Sequence, residues 1–229
     1  MYKSLLSSTA NTRDLGGYPA AAGKTTVRNK IWRSDAPTAW NDADEQLLKK
    51  LGITAVIDMR TDGEIARKPC AFSRRDGFAY SHIPIAAGST PPDSLEAVPV
   101  TYLEIAAQKE TADVLRTIAE SRAGVLFCCA AGKDRTGVIS ALLLLACGVD
   151  SQTIVNDYAV SREYNRLRLE QYLAEHPGID RRIVLANEAS MRRFLILFHD
   201  CYGSIEAYFE QSGLSSLHLA RIRGKLLEG

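Results

Sequence analysis

The sequence carries no excess of charge of either sign. Its 229 residues include 28 lysines and arginines against 27 aspartates and glutamates, which gives a formal net charge of +1. This balance removes the electrostatic case for a nucleic-acid partner or for a strongly anionic membrane. The longest apolar run, Val138 to Cys147, is too short to cross a bilayer, so we expect no integral membrane segment.

Metal-binding patterns and a disulfide framework are also missing. The four histidines show no metal-ligand spacing and the five cysteines form no Cys-x2-Cys pair, so we expect neither a metal nor another cofactor. An odd number of cysteines, two of them adjacent, suits reduced thiols. Residues 1–8 lack the pattern of a signal peptide, and we expect a cytoplasmic protein, although export without a cleavable signal would leave no pattern to read.

The most informative segment is residues 128–137, CCAAGKDRTG, which lies between two apolar runs. The run before it predicts a buried strand and the run after it predicts a helix, so the order is strand, tight loop, helix. A loop at a helix N-terminus collects unpaired N–H groups and the positive end of the helix dipole, which together bind anions. That field favours the thiolate of Cys129, and Arg135 offers a bidentate partner for a phosphate. A bare Cys-x5-Arg is common by chance, but this setting favours phosphoryl transfer through a cysteine.

The hydrophobic pattern elsewhere predicts an α/β fold. Predicted strands at Ile53–Met59, Phe78–Ile83 and Val125–Cys128 alternate with predicted helices at Asn41–Leu51 and Val100–Ser121. After residue 137 the chain is predicted to be mostly helical, over 138–147, 151–160, 162–175, 180–199, 204–211 and 215–227. We therefore expect a central, mostly parallel sheet flanked by helices, with a helical C-terminal portion. We expect one domain over residues 1–229, made of an N-terminal loop region (1–40), an α/β core (41–160) and a helical C-terminal part (161–229).

The loop from Cys129 to Thr136 resembles the signature loop of the cysteine-dependent phosphatases. Its Gly-Lys-Asp-Arg-Thr form resembles the bacterial tyrosine phosphatases that overlap with phosphoinositide phosphatases. Further blocks along nearly the whole chain match that family: residues 11–18 (NTRDLGGY), 32–34 (WRS), 56–60 (VIDMR) followed by Glu64, 156–158 (NDY) and 202–208 (YGSIEAY). The resemblance implies a cysteine-phosphatase-like fold and hydrolysis of phosphate monoesters.

Two positions depart from that family. Cys128 stands where the family usually has a histidine that helps to hold the loop and to tune the nucleophile. Residues 85–88 (IAAG) lack the aspartate that members can carry there as the acid for the leaving group. The resemblance therefore leaves the general acid unassigned.

The loop residues have distinct predicted roles. Cys129 is the predicted nucleophile, which attacks phosphorus and forms a cysteinyl-phosphate that water hydrolyses. Arg135 is predicted to chelate two phosphate oxygens, and the backbone N–H groups of the loop to bind the others. The small residues Ala130, Ala131 and Gly132 let the backbone curl tightly around the anion.

Two further loop side chains each have two possible roles. Thr136 donates to the Cys129 sulfur and eases its departure, or it is only the N-cap of the helix. Lys133 adds a second positive charge at the mouth of the site, or it is a solvated surface lysine. In the resemblance, a lysine here accompanies phosphoinositide as well as phosphotyrosine substrates.

Two aspartates are candidates for acid–base chemistry. Asp134 is predicted to act as general acid or as a water-orienting base, with the alternative that it holds Arg13 or another basic residue in place. Asp58 follows a buried strand at its carboxyl end, where α/β sheets bind ligands. The alternative for Asp58 is an ion pair with Arg60.

The leading hypothesis is a metal-independent phosphatase that acts on phosphotyrosine, with phosphoserine, phosphothreonine and phosphoinositides as further candidates. The expected partner is therefore a phosphoprotein or a phosphoinositide, and the oligomeric state stays open. One alternative is another oxyanion enzyme, an arsenate reductase or a sulfurtransferase; the reductase would need resolving thiols, and only Cys128 is near Cys129 in sequence. A third is a pseudophosphatase module that binds phosphate without turnover. Residues 86–99 are predicted to form a mobile flap whose packing sets the depth of the pocket.

Overall fold

A computed structural model describes residues 3–39 and 41–228 of the chain. The strands are β1 (Arg13–Asp14), β2 (Ile31–Asp35), β3 (Ile53–Asp58), β4 (Ala79–His82) and β5 (Gly124–Cys129). They form one five-stranded sheet in the order β1-β2-β5-β3-β4, and all neighbours are parallel except β1 and β2. The carboxyl ends of the parallel strands meet at one edge, where Asp35 pairs with Cys129 and Asp58 with Cys128.

Helices cover both faces of this sheet and make up the C-terminal portion. They are α1 (Asp42–Lys50), α2 (Asp62–Arg67), α3 (Ala97–Ala107), α4 (Lys109–Glu120), α5 (Asp134–Ala146), α6 (Ser151–Ala159), α7 (Ser161–Tyr164), α8 (Arg166–Glu175), α9 (Arg181–Val184), α10 (Glu188–Tyr202), α11 (Ile205–Gln211) and α12 (Ser216–Leu227). The prediction of a mostly parallel sheet flanked by helices, with a helical C-terminal portion, is confirmed.

Helix α5 lies at the centre of the molecule because it is apolar on nearly every side. All its residues are buried except Asp134 at its start and Leu145 near its end. A helix without a polar face must be covered all round. Here the sheet covers one side, while the contacts with α3, α6, α11 and α12 cover the others. The start of α5 is thereby held at the carboxyl edge of the sheet.

Side chains along β5 alternate between two hydrophobic clusters, one on each face of the sheet. Phe127 and Cys129 belong to the large cluster that contains α5. Leu126 and Cys128 belong to a smaller cluster on the other face, which Leu48 of α1 helps to close. The two adjacent cysteines therefore point in opposite directions.

The predicted strands at Ile53–Met59, Phe78–Ile83 and Val125–Cys128 are confirmed within one or two residues at each end. Strand β2 was missed and lies inside the predicted loop region. Three of its five residues (IWRSD) are polar, so the pattern does not indicate a buried strand, although every residue is buried. The predicted helix at Val100–Ser121 is two helices, since the backbone of Gln108 is extended.

Several predicted boundaries inside the helical part also differ. The predicted helix 180–199 is divided into α9 and α10, and the segment 162–175 is interrupted at Asn165. Helix α3 begins at Ala97, so the predicted flap at 86–99 is a loop only before that residue. The ends of the expected single domain, Met1, Tyr2 and Gly229, lie outside the described residues, and that domain assignment stays a prediction. Over 3–39 and 41–228, none of the helices combines the length and apolar character needed to cross a membrane.

Candidate active site

The loop between β5 and α5 forms the floor of a pocket of about 220 Å³ at the carboxyl edge of the sheet. Cys129, Lys133, Asp134 and Arg135 all line this pocket. The turn depends on Gly132, whose φ is +65° and whose missing Cβ would lie 2.5 Å from the backbone nitrogen of Asp35. Only glycine fits both that conformation and that contact.

The carbonyl oxygens of the loop point outward, where side chains from other elements bind them. Arg168 donates to Ala130 O (2.7 Å), Asn11 and Asn165 donate to Ala131 O (both 3.0 Å), and Asn11 and Arg33 donate to Gly132 O (both 2.9 Å). The backbone N–H groups of residues 130–133 donate to no oxygen among the described residues. Their arrangement at the start of α5 gives a concave set of donors suited to an anion.

A buried ion triad holds the side chains that bind these carbonyls. Asp157 of α6 accepts from Arg13 Nε (2.9 Å), from Arg33 Nη1 and from Tyr18 Oη (2.9 Å). Arg13 also donates to Asn11 Oδ1 (2.5 Å), which orients the Asn11 amide toward the loop. Burial alone would raise the pKa of Asp157, but the two guanidinium groups outweigh it and hold the pKa well below 3.8. The triad therefore remains charged and rigid at neutral pH.

Arg135 is fixed by a carboxylate that received no role in the sequence analysis. Its Nη1 and Nη2 donate to the two oxygens of Glu64 at 2.8 and 2.7 Å, and Nη1 also approaches Met59 O at 3.2 Å. Glu64 is the third residue of α2 and forms a capping box with Thr61. Burial would raise the pKa of Glu64, but Arg135 and the Thr61 N–H lower it from 4.5 to about 2.

Two polar atoms in the first turn of α5 are buried and unpaired in the described part of the chain. They are Nε of Arg135 and Oγ1 of Thr136. The helix N-cap is Lys133, so the alternative in which Thr136 caps α5 is wrong. A buried donor without a partner is costly, so each atom is suited to bind a further group.

Lys133 is buried, so the solvated-surface alternative is wrong. Its ammonium group donates to Val184 O at 2.7 Å and lies 3.4 Å from Ile183 O at the end of α9. It also lies 3.3 Å from Asp134 Oδ1. Lys133 therefore joins the loop to the wall of the pocket, and its charge is largely shared among these oxygens.

Asp134 lines the pocket with its carboxylate anchored at one oxygen. Oδ1 accepts from Tyr102 Oη at 2.6 Å, while Oδ2 makes no hydrogen bond to the described residues. Arg13 is bound to Asp157, so the alternative in which Asp134 holds Arg13 is wrong; the basic residue near Asp134 is Lys133.

Asp58 lies on the far face of the sheet, in an ion pair with Arg60. Arg60 donates to its oxygens through Nε (3.0 Å) and Nη2 (2.7 Å), and Tyr80 donates at 3.2 Å. The side chain is fully buried and does not line the pocket. This geometry matches the ion-pair alternative and offers no path from Asp58 to a substrate on Cys129.

Cys128 packs beside this pair as a buried thiol. Burial and the neighbouring Asp58 raise its pKa well above its usual value. Because successive strand residues face opposite sides of the sheet, Cys128 is not placed to form a bond with Cys129. The position of the usual histidine is thus filled by a small core side chain.

The walls of the pocket come from four segments beyond the loop. They are residues 88–92, the start of α3, and the helices α8 and α9, with the apolar side chains Pro91, Pro92, Val98, Leu169, Tyr172, Ile183 and Val184. Residues 88–92 of the predicted flap therefore form one wall of the pocket. Helix α8 forms another, and the sequence did not predict that it contacts the pocket.

Sequence reasoning named the loop residues of this site and missed those that support it. Glu64, Asn11 and Asp157 were named only as parts of the segments that resemble the family. The Thr61-x-x-Glu64 spacing is a visible capping-box signal, so Glu64 could have been placed at a helix start. The pairing of Arg33 with Asp157 joins residues far apart in the chain, and no local pattern reports it.

Comparison with known proteins gives consistent matches. A model of the tyrosine phosphatase family matches residues 5–228. A tyrosine-protein phosphatase of Nostoc commune is 32% identical over 211 residues, which cover 81% of this chain and 70% of that protein. A Cupriavidus necator protein, provisionally named a tyrosine-protein phosphatase, is 29% identical over 250 residues, covering 96% and 86%. The triple specificity protein phosphatase PtpB of Mycobacterium tuberculosis is 26% identical over 254 residues, covering 86% and 91%.

Proposed function

The chain belongs to the tyrosine phosphatase family, and we propose that it hydrolyses phosphate monoesters through a cysteinyl-phosphate intermediate on Cys129. The family makes it a phosphoric monoester hydrolase. The intermediate, the roles of the individual residues and the substrate preference are our proposals. They follow from the arrangement of donors and acceptors around the loop.

One observation carries the proposal. Around Cys129 the loop directs a set of unpaired donors inward, namely the N–H groups of residues 130–133 and the buried Nε of Arg135. A tetrahedral dianion satisfies all of these donors at once. Since the fold leaves them unpaired around a single thiol, the site is suited to bind a phosphoryl group on the sulfur.

The reaction proceeds in two displacements. The Cys129 thiolate attacks phosphorus, the bond to the ester oxygen breaks, and Asp134 gives its proton to that oxygen so that an alcohol leaves. Asp134, now ionised, accepts a proton from water, which attacks the cysteinyl-phosphate and releases inorganic phosphate and the thiolate. Arg135 and the backbone N–H groups bind the equatorial oxygens in both transition states. Thr136 donates to the sulfur as it leaves.

Phosphotyrosine is the substrate that the pocket supports best. Cys129 is only 2% exposed and lies beneath apolar walls, which suit an aromatic ring between the phosphate and the peptide. Lys133, the residue that would favour a phosphoinositide, already shares its charge with Asp134 and two carbonyl groups. One relative carries triple specificity in its name, so phosphoserine, phosphothreonine and phosphoinositides remain secondary candidates.

The arsenate reductase alternative lacks the thiols that it needs. Such a reaction requires a second cysteine that attacks the sulfur of Cys129. Cys128 faces the other side of the sheet, and among the described residues no cysteine except Cys129 lines the pocket. This geometry supports the hydrolase over the reductase.

The test is hydrolysis of p-nitrophenyl phosphate in the presence of EDTA, with Cys129→Ser and Arg135→Ala compared with the parent. We expect EDTA-resistant turnover that is abolished by Cys129→Ser and reduced at least about a hundredfold by Arg135→Ala, since each removes a group acting in the transition state. Cys128→Ala is the matched control, because it removes the adjacent buried thiol on the other face, and it should retain turnover. Binding of vanadate without turnover in the parent would instead favour the pseudophosphatase module.

The substrate preference needs its own comparison. A phosphotyrosine peptide, the same peptide with phosphoserine, and a soluble phosphoinositide headgroup are compared by phosphate release. We expect the highest kcat/KM for the phosphotyrosine peptide. A preference for the headgroup would contradict our interpretation of the apolar walls and of Lys133.

A further inference from the structure

Two buried tyrosines connect α3 and α6 to the carboxylate of Asp134. Tyr102 is 1% exposed, and its hydroxyl lies 2.6 Å from Asp134 Oδ1. Tyr158 is also 1% exposed, and its hydroxyl forms a short hydrogen bond with that of Tyr102. The ring of Tyr102 packs edge-on against Tyr158 and Phe194, at centroid distances of 5.8 and 6.1 Å. This packing fixes the position of the hydroxyl that meets the carboxylate.

The direction of the hydrogen bonds follows from the number of protons. An ionised carboxylate only accepts, so the single proton of Tyr102 points to Asp134. The proton of Tyr158 must then point to the oxygen of Tyr102. Burial, reinforced by the nearby carboxylate, raises the pKa of both tyrosines, which keeps both hydroxyl groups protonated as donors at neutral pH. The chain of donation runs from Tyr158 through Tyr102 to Asp134.

The hydrogen bonds from the two tyrosines occupy one oxygen of Asp134 and leave the other available. Oδ1 receives Tyr102 and lies near Lys133, whereas Oδ2 has no partner among the described residues and the side chain lines the pocket. The other charged group near this carboxylate is Arg135, which Glu64 holds, and the thiol of Cys129 lines the same pocket. A proton on Oδ2 is therefore the one that a leaving group can reach.

We propose that Tyr102, supported by Tyr158, is the positioning residue that sets the orientation of the Asp134 carboxylate for its acid and base steps. The inference rests on the proposed function, in which Asp134 protonates the leaving group. Hydrogen bonding to the charged form of a carboxylate favours that form. The donation from Tyr102 fixes Oδ1 in place, so that Oδ2 is the oxygen held toward the ester oxygen.

The experiment is the pH dependence of kcat/KM for Tyr102→Phe, Tyr158→Phe and Asp134→Asn with a phosphotyrosine peptide. The general acid must be protonated, so its ionisation gives the alkaline limb of the profile. We expect Tyr102→Phe to move that limb to higher pH, because a donor to the charged carboxylate is lost. Tyr158→Phe should move it in the same direction by less, and Asp134→Asn should abolish it.

Tyr208→Phe is the matched control. Tyr208 is also fully buried, and its hydroxyl binds Ala106 O of α3 at 2.7 Å, far from the carboxylate. It should lower the unfolding temperature without moving the limb. If Tyr102→Phe behaves like Tyr208→Phe, the tyrosine is merely structural and the inference is overturned.

A second measurement separates this inference from the proposed function. Rapid-quench trapping detects phosphate on Cys129 in the parent and in Tyr102→Phe. Trapped phosphoenzyme together with an unmoved alkaline limb would overturn the role of Tyr102 while leaving the nucleophile intact. Absence of phosphoenzyme in the parent, with turnover retained in Cys129→Ser, would overturn the proposed function itself and the inference with it.

Discussion

Replacing Glu64 by glutamine tests how Arg135 is held in place. Glutamine has the same shape and still serves in a capping box, so α2 keeps its start. It removes the negative charge from a bidentate pair in which the Glu64 side chain is 14% exposed and the Arg135 side chain 3%. The pKa of Glu64 is lowered from 4.5 to about 2. That lowering corresponds to about 3 kcal/mol, which solvent screening reduces to about 2 kcal/mol.

The stability assay is urea unfolding of the parent and of Glu64→Gln at several pH values. The folded pKa of Glu64 lies below its unfolded value, so its contribution is complete above pH 4.5 and is lost as the pH falls toward 2. We expect Glu64→Gln to be about 2 kcal/mol less stable at pH 7, with about 40% of that difference gone by pH 3.5. We also expect kcat/KM to fall at least about tenfold, because Arg135 is no longer aligned.

Glu206→Gln is the control for this experiment. Glu206 pairs with Arg223 on the surface, where both side chains are well exposed. A surface pair contributes less than about 1 kcal/mol, so stability and turnover should stay close to those of the parent. A loss of unfolding free energy in Glu64→Gln that is the same at every pH, or an unchanged kcat/KM, would refute the reasoning.

Three further substitutions test the loop and its support. Asp157→Asn leaves two buried guanidinium groups uncompensated, and we expect a loss of about 3–5 kcal/mol in urea unfolding; a loss below 1 kcal/mol would contradict the ion triad. Gly132→Ala forces a Cβ into the backbone at Asp35, so vanadate binding measured by calorimetry should be lost, whereas Gly178→Ala, with open space around it, should bind normally. Thr136→Val removes an unpaired hydroxyl, so the unfolding temperature should not fall, while the cysteinyl-phosphate should accumulate as a burst in rapid-quench assays.

Strands β3, β4 and β5 and the loop were readable from the sequence because their signals are local. The run before Cys129 and the apolar helix after Arg135 identify the site by themselves, and the structure places both ends of the loop in one pocket. Strand β2 was not readable, since Arg33, Ser34 and Asp35 look like loop residues until their partners are known. Arg33 is paired with Asp157 and the loop, while Ser34 and Asp35 bind residues 10–12, and only the fold brings these partners near.

The two candidates for the general acid show the same limit of local sequence patterns, which do not report contacts made by the fold. Asp58 lies at the carboxyl end of a predicted strand, and Asp134 lies in the predicted loop. The sequence therefore left both open as candidates for the general acid. The pleat of β3 turns Asp58 to the face opposite the pocket, where Arg60 binds it. Asp134 instead begins α5 and lines the pocket. Which face a carboxylate occupies depends on register, and register depends on strand pairing that the sequence does not state.

The supporting network also explains how a buried loop can attract an anion without being strongly charged itself. Asp157 is shared by Arg13 and Arg33, and Glu64 pairs with Arg135, so carboxylates offset much of the positive charge around the loop. The side chains that bind the loop carbonyls polarise the same peptide groups whose N–H bonds point inward. The attraction for an anion inside the loop then comes from aligned peptide dipoles and from the unpaired Nε of Arg135. We therefore expect the site to stay folded without phosphate and, in the proposed mechanism, to bind the phosphoryl group in both displacements.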